Sequence, residues 1–270
     1  MPNKLYLECY SGISGDMTVA ALLDLGADQQ VLMEGLESLN LLGYQLKIGR
    51  VKKNGIDACD FDVILDEPEH HHDHEHEHHH DHEHEHHHDN DHEHHHHDHV
   101  HRNIGDIFAI IDQSKISDRA KQTAKDIFRI IAAAESKAHG IAEDQVHFHE
   151  VGAVDSIIDI VSAAICLDNL DITEAVVSDL YEGCGYVHCQ HGLMPVPVPA
   201  VVNIAADNAL RLRLTQTRGE MITPTGAAIA AYLSKGGKLP ESFVIEKIGL
   251  GAGKKDFATA NILRAFLIRD

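Results

Sequence analysis

The chain has 270 residues, 43% of them hydrophobic, which is enough for one or two ordinary cores. Its formal charge of −21 with neutral histidines repels nucleic-acid phosphates and anionic membranes and favours cations, so neither nucleic acid nor membrane is expected as a partner. No apolar run approaches the roughly 18 residues of a membrane span. Five cysteines are too sparse for a disulfide framework, and without a signal-peptide pattern they indicate a cytoplasmic protein.

Hydrophobic periodicity predicts that the chain opens with a strand, a glycine loop and a helix, at residues 4–10, 11–16 and 17–25. The same patterns then predict a helix at 29–42 and strands at 44–52 and 58–65. Residues 1–65 therefore form a first α/β lobe.

A low-complexity insert follows at residues 66–101, where nearly every residue is His, Asp or Glu. The octet DHEHEHHH occurs twice in succession, at 73–80 and 81–88. With almost no apolar side chains, the insert cannot offset about 1 to 2 kcal/mol per residue of backbone ordering, so it is expected to be disordered without a ligand.

Imidazole is a preferred ligand for Ni²⁺, Cu²⁺ and Zn²⁺, and the interleaved carboxylates concentrate cations, so the insert is predicted to bind many metal ions. An expression tag would be terminal, and a solvated linker has no need of so many histidines. The residue types alone do not select one of the three metals. The predicted ligands in the insert are His70, His71, His72, His74, His76, His78, His79, His80, His82, His84, His86, His87, His88, His92, His94, His95, His96, His97, His99 and His101.

Regular patterns resume after the insert and predict the rest of a mixed α/β or α+β fold at residues 102–270, packed with 1–65. The predicted helices are 103–112, 117–139, 154–170, 200–208 and 225–234. The predicted strands are 175–180, 211–217, 243–248 and 261–269, with a Gly/Pro-rich stretch at 183–199.

The glycine loop is the first candidate site, because its N–H groups and the following helix could hold an anion such as a phosphate. The loop has no Walker lysine, and its aspartate would repel a phosphate unless a cation lies between them or the aspartate caps the helix. Both interpretations stay open. The candidate binding residues are Ser11, Gly12, Ser14, Gly15 and Asp16.

A second candidate site surrounds the start of the helix predicted at 154–170. His147 and His149 lie two residues apart, Glu150 and Asp155 lead into the helix, and Asp159 is one turn further on. These side chains could bind one metal ion or supply a general base, or they could simply cap the helix.

Cysteine and histidine also cluster at residues 184–191, where Cys184, His188, Cys189 and His191 are close enough in sequence to share a metal, although zinc-finger spacing is absent. The prolines at 195, 197 and 199 enforce an extended run that is expected to shape a pocket rim.

Five ordered segments together resemble the LarC-type nickel-insertion family, and the resemblance spans nearly the whole chain. They are residues 11–17 (SGISGDM), 148–157 (FHEVGAVDSI), 191–200 (HGLMPVPVPA), 223–228 (TPTGAA), and 249–257 (GLGAGKKDF) before the strand with 261–264 (NILR). A histidine-rich insert is also typical of that family.

The resemblance implies a nickel chelatase or cyclometallase of the lyase class, which uses CTP and Mn²⁺ or Mg²⁺ to place Ni²⁺ in pyridinium-3,5-bisthiocarboxylic acid mononucleotide. The product is the nickel-pincer cofactor of lactate racemase-like enzymes, so the implied partners are this pyridinium-dithiocarboxylate nucleotide and a lactate racemase-like apoenzyme. Longer family members continue beyond the last strand into a C-terminal CTP-binding domain, which this chain would need in trans.

Making the nickel–carbon bond requires a base for the ring proton, and His149, Glu150 and His191 are the candidates. The predicted ordered metal ligands are His147, His149, Glu150 and Asp155. The alternative function is a noncatalytic nickel store or metallochaperone that presents the histidine-rich insert to a partner.

Overall fold

A computed structural model describes residues 3–66, 102–146, 154–189 and 191–269, and within these ranges the fold is mixed α/β, as predicted. The insert histidines and the residues His147, His149 and Glu150 lie outside the described residues. The predictions that fall on them, including disorder of the insert, are therefore not addressed by the structure.

The N-terminal elements follow the predicted order of strand, loop and helix. They are β1 (Asn3–Glu8), α1 (Gly15–Leu25), α2 (Gln29–Glu37), β2 (Tyr44–Lys53) and β3 (Ile56–Leu65). Helix α1 ends at Gly26, whose φ of 117° is in the left-handed region, and Asp28 caps α2 by accepting hydrogen bonds from the N–H groups of Gln30 and Val31. Helix α2 is shorter than predicted because Asn40 has φ 52°, a left-handed conformation that does not continue a helix.

The next elements are α3 (Ile104–Gln113), α4 (Asp118–His139), a 3-10 turn at Glu143–Gln145, α5 (Val154–Asn169) and β4 (Ile172–Val177). A reciprocal capping box between Asn103 and Asp106 begins α3. Ser117 caps α4, and Gly140, with φ 66°, ends the helix directly after the predicted range 117–139.

The C-terminal part contains strands that the sequence does not predict. Its elements are β5 (Leu180–Cys184), β6 (Tyr186–Cys189), β7 (Gly192–Pro195), α6 (Pro199–Asp207), β8 (Leu212–Arg218), α7 (Pro224–Leu233), β9 (Val244–Ala252) and β10 (Ile262–Arg269). The Gly/Pro-rich stretch thus forms the end of β5 and a β6–β7 hairpin in which Cys189 pairs with Gly192. It was missed because glycines and prolines obscure the alternation of strands this short.

Six strands form one sheet in the order β2-β3-β9-β10-β1-β4, so the chain's first and last strands are neighbours. Strand β1 is antiparallel to β10, with Leu5 opposite Leu267, and parallel to β4 on its other side. Strand β3 meets β9 in parallel where Cys59 lies opposite Gly251.

Helix α1 lies against the sheet closely enough to require glycine in β9. A Cβ on Gly251 would lie 2.0 Å from the Met17 carbonyl oxygen, and one on Gly249 would lie 2.1 Å from that of Ala21. Since α1 is held this closely, its first turn has a fixed position next to the end of β9. No helix in the described ranges is long and apolar enough to cross a membrane.

Candidate functional site

The loop between β1 and α1 is fastened to the segment that leads into α7. The Ile13 N–H donates to the Met221 carbonyl at 3.0 Å, and the Thr223 N–H donates to the Ile13 carbonyl at 3.1 Å. Within the loop, the Gly12 N–H donates to the Cys9 carbonyl at 3.2 Å, and Ser11 is half-buried. The loop is therefore a rigid connection between two helix starts.

Carboxylates occupy the N-terminal turn of α1. The Ser14 hydroxyl donates to the Asp16 carboxylate, which also accepts from the Met17 N–H, and the Asp16 N–H donates to the Asp159 carboxylate. Free N–H groups and the helix dipole at an N-terminus favour negative charge, and here the chain itself supplies it. This arrangement favours the capping interpretation of Asp16, while phosphate binding by Ser11 and Gly12 stays a prediction.

Asp16 and Asp159 belong to a cluster of three acidic side chains that Asp155 completes. Burial raises the pKa of all three, and repulsion from Asp16 and Asp155 adds to burial in raising that of Asp159 well above its usual value. Asp159 Oδ1 is shielded from solvent and has no hydrogen-bond partner among the described residues. Such an atom has unused capacity for a proton or a cation.

Gly15 permits the close approach between α1 and α5 that assembles this carboxylate cluster. A Cβ at Gly15 would lie 2.4 Å from Asp159 Oδ2 and 2.7 Å from Asp159 Cβ. Glycine is therefore needed here for contact between two helix starts.

Lys254 faces the carboxylate cluster from the loop after β9. Its charge lowers the pKa of Asp16 and Asp159, although burial outweighs this effect. The Lys254 ammonium also lies 2.8 Å from Asp62 Oδ1 and 3.5 Å from Asp60 Oδ1. Lys254 therefore forms its ion pairs with the carboxylates of β3, and its charge compensates that of the cluster only in part.

A cavity of ≈ 120 Å³ opens beside Asp16. Its polar lining residues include Ser14, Asp16, Glu220, Thr223, Lys255 and Asn261. Segments that are far apart in the sequence, around residues 14, 223, 255 and 261, therefore meet around the start of α1.

Glu182 fixes the position of the segment around Met221, to which the glycine loop is hydrogen-bonded. Its side chain is fully buried, and Oε1 accepts hydrogen bonds from the N–H groups of Gly183 at 2.7 Å, Met221 at 2.8 Å and Ile222 at 3.3 Å. Burial nevertheless raises the pKa of Glu182, and Oε2 has no partner within the described ranges. Because Met221 also binds Ile13, Glu182 supports the loop from behind.

His191 lies away from the carboxylate cluster, in the turn of the β6–β7 hairpin. Its ring centroid is 4.9 Å from that of His139, at the end of α4. Both rings line a second cavity of ≈ 200 Å³ that Pro224 also lines, whereas the adjacent Thr223 lines the first. The two cavities are thus neighbours across the start of α7.

The structure does not bring Cys184, His188, Cys189 and His191 together. Alternation along β6 directs His188 and Cys189 to opposite faces, and Cys184 belongs to β5. In the part of the chain that the structure covers, no three His, Cys, Asp or Glu side chains are already arranged to hold a metal ion. The four side chains Cys184, His188, Cys189 and His191 are therefore not arranged as one metal site.

The sequence places Asp155 and Asp159 one helical turn apart, but it does not predict three further features. These are the contact of Asp159 with Asp16, the hydrogen bonds of Glu182, and the position of His139 next to His191, all of which depend on tertiary contacts. His139 could have been noticed as one of only five histidines outside the insert.

Comparison with known proteins identifies the family to which the chain belongs. Residues 5–270 match the model of the nickel insertion protein family, and the chain belongs to this family. A pyridinium-3,5-bisthiocarboxylic acid mononucleotide nickel insertion protein from Alkaliphilus metalliredigens is 62% identical over 271 residues, covering 100% of this chain and 61% of the relative.

Proteins with the same name from Clostridium acetobutylicum and Acetivibrio thermocellus are 45% and 40% identical, each over 97% of this chain. The chain spans 63% and 60% of their lengths. No solved structure matches the chain.

Proposed function

We propose that this chain binds Ni²⁺ and inserts it into pyridinium-3,5-bisthiocarboxylic acid mononucleotide, forming a nickel-pincer nucleotide for lactate racemase-like enzymes. Membership of the nickel insertion family and the names of the relatives support the metal and the substrate. The single observation that supports a location for this reaction is the cluster of Asp16, Asp155 and Asp159. It lies beside a cavity that is lined by lysine and asparagine side chains.

In this proposal the histidine-rich insert collects Ni²⁺ and passes it by ligand exchange to His147, His149, Glu150 and Asp155. The sequence connects these residues directly to α5, so the metal would arrive next to the carboxylate cluster. Ligand exchange between bound states avoids releasing free metal.

The substrate requires two kinds of chemistry. Two thiocarboxylates bind nickel as soft ligands, and a base must remove the ring proton before the nickel–carbon bond forms. His149, Glu150 and His191 are the proposed bases. The buried Asp159 carboxylate, whose raised pKa gives it a higher proton affinity than an ordinary carboxylate, is proposed to take up the proton that His149 or Glu150 removes.

Anion recognition is proposed for the loop, with the substrate phosphate meeting Ser11, Gly12, Ser14 and Gly15 and with Asp16 facing a cation. Lys255 lines the cavity beside Asp16 and adds positive charge, although it is paired with Glu220 at 3.0 Å. CTP with Mn²⁺ or Mg²⁺ is proposed to act through a CTP-binding domain outside these 270 residues.

The test is a defined insertion reaction. The purified chain is mixed with Ni²⁺, the dithiocarboxylate nucleotide, CTP and Mg²⁺ or Mn²⁺, with and without a separately produced C-terminal part of a relative, and the nickel product is measured by mass spectrometry. Product formation that depends on this chain supports the proposal. Absence of product in every combination contradicts it.

Deleting residues 70–99 separates insertion from storage. An insertion enzyme that lacks them should keep its activity at high Ni²⁺ and lose it only when Ni²⁺ is scarce. A noncatalytic nickel store or metallochaperone would lose its function at every Ni²⁺ concentration.

A further inference from the structure

The second cavity, here called the α4–hairpin cavity, contains His191, one of the three proposed bases, together with metal donors that the proposed function has not used. It lies between the end of α4, the β6–β7 hairpin and the starts of α6 and α7. Its ≈ 200 Å³ volume is bounded by Glu135, His139, Cys189, His191, Met194 and Pro224, among others. Imidazole, thiol and thioether groups thus line one solvent-accessible space.

The His139 and His191 rings are spaced like two ligands of one metal ion. With metal–nitrogen bonds of about 2.1 Å, each ring centroid lies about 3.2 Å from the metal, and ligand angles of 90–109° then separate the two centroids by about 4.5–5.2 Å. The observed separation is 4.9 Å, and the ring planes are inclined by 44°. Two imidazoles are therefore already placed for coordination.

Glu135 orients one of these imidazoles. It lies one helical turn before His139, and Glu135 Oε2 is 3.4 Å from His139 Nε2. A carboxylate beside one ring nitrogen is the usual support of a histidine that binds a metal through its other nitrogen. Nδ1 of His139 is the nitrogen that does not face Glu135.

Cys189 supplies the softer donor. Its pairing with Gly192 makes a two-residue turn that contains His191, and the Cys189 Sγ lies 3.5 Å from the Gly192 carbonyl oxygen. Of the other four cysteines, Cys9, Cys59 and Cys166 are buried, and burial raises the pKa of Cys59 to about 11 and that of Cys166 to about 12. Cys184 and Cys189 are the partly exposed thiols.

We propose that the α4–hairpin cavity is a docking site for Ni²⁺, bound by the imidazoles of His139 and His191 and the thiolate of Cys189. The inference rests on the proposed function for the choice of metal. On binding, the thiol proton passes to solvent and a nickel–sulfur bond forms, with no change of oxidation state. Because no three donors in the described residues already surround one point, the Cys189 side chain rotates toward the imidazole pair.

The fourth coordination position of a four-coordinate nickel ion stays open in this site. A sulfur atom of the incoming dithiocarboxylate can enter there and displace the protein ligands one at a time, since thiocarboxylate sulfur is a soft donor. Pro224, at the start of α7, lines the α4–hairpin cavity, and the adjacent Thr223 lines the cavity beside Asp16. The metal therefore needs to travel only a short distance between the two.

The test uses the thiolate-to-nickel charge-transfer absorption in the near ultraviolet. Residues 67–101 contain no cysteine or methionine, so the histidine-rich insert cannot produce this band, and the full-length chain can be titrated with NiCl₂ to saturation. Because the insert binds further nickel ions without absorbing here, we expect the saturated band to have the intensity of one thiolate–nickel site per chain. Cys189→Ser should abolish it, and His139→Ala and His191→Ala should each weaken nickel binding at this site at least tenfold.

Two matched variants serve as controls. His188→Ala removes an imidazole from the opposite face of the same strand, and Cys184→Ser removes the other partly exposed thiol. Both should keep the band. Absence of the band in the unmodified chain, its survival in Cys189→Ser, or its equal loss in Cys184→Ser overturns the site.

This measurement needs no substrate, so it is independent of the insertion assay. A chain that shows the band but makes no product keeps the docking site and loses the proposed function. A chain that makes product at the same rate with Cys189→Ser and His139→Ala under scarce Ni²⁺ keeps the function and loses the site.

Discussion

The main-chain N–H of Asp16, in the first turn of α1, donates a hydrogen bond to the carboxylate of Asp159 on α5. This hydrogen bond joins two residues that are 143 positions apart in the sequence. It connects the glycine loop to the segment that carries the predicted metal ligands. Helix α1 contributes its positive N-terminal end, which stabilises part of the negative charge that burial disfavours. Because the helix end compensates only part of this effect, the pKa of both carboxyls stays above its usual value.

Asp159→Asn is expected to separate activity from stability. Asparagine keeps an oxygen that can accept from the Asp16 N–H, and it removes a buried carboxylate whose pKa is raised, so thermal unfolding at neutral pH should occur at the same or a higher temperature. Insertion should fall by about 10²-fold or more, the usual effect of losing a proton-transfer group. Asp112→Asn, at an exposed ion pair with Lys125, is the control that should change neither.

Gly15→Ala is expected to destabilise the fold, because the new Cβ would lie 2.4 Å from Asp159 Oδ2. Overpacking of this kind costs about 1 to 3 kcal/mol of unfolding free energy, measurable by urea denaturation. Gly49→Ala on β2 is the matched control, since nothing lies within 4 Å of its new Cβ. Equal stabilities of the two variants would show that the α1–α5 contact is looser than described. Substitution of Gly15 is therefore unsuitable as a test of phosphate binding alone.

Much of the fold was predictable from the sequence because its elements carry their own boundaries. Helix α4 begins after its N-cap Ser117 and ends at Gly140. Both residue types are recognisable helix boundaries in the sequence alone. The β6–β7 hairpin was missed because its four-residue strands are too short for alternation to be recognised. The sheet order was beyond prediction, since β1 pairs with β10 through contacts such as Leu5 with Leu267 that no local pattern records.

The candidate site was predictable in its parts and not in its assembly. The spacing of Asp155 and Asp159 is visible in the sequence, and so is the glycine loop with Asp16. Their meeting depends on Gly15, Gly251 and the packing of α1 between α5 and β9, which are tertiary relationships. The same applies to His139 and His191, which come together from α4 and a distant hairpin.

Glu182 should make stability depend on pH in a direction opposite to that of a paired surface carboxylate. Its folded-state pKa is raised above the ordinary value of 4.5, so between these two pKa values the folded protein binds more protons than the unfolded chain. Stability from this group is thus full below pH 4.5 and declines as pH rises through the folded-state pKa. Glu182→Gln does not titrate, so the unfolding free energy of the unmodified chain should fall relative to that of Glu182→Gln from pH 4 to 7.

Urea denaturation of both proteins at several pH values checks this prediction. Glu182→Ala is the accompanying variant, because it leaves the N–H groups of Gly183, Met221 and Ile222 without their acceptor and should cost about 2 kcal/mol or more at every pH. A difference between the unmodified chain and Glu182→Gln that is constant with pH would mean that the carboxylate is solvated in the folded protein.

Nickel binding should show two classes of site that differ in number and in their dependence on the insert. Calorimetry at neutral pH is expected to give many binding events per chain, and deletion of residues 70–99 should remove most of them and leave a small number of sites among the remaining histidines, cysteines and carboxylates. Imidazole protonates near pH 6.5, so lowering the pH to about 5.5 should remove most binding by the insert, since a protonated ring has no lone pair for the metal. If the deletion abolished all binding, the chain would only collect nickel, and the insertion chemistry would have to reside elsewhere.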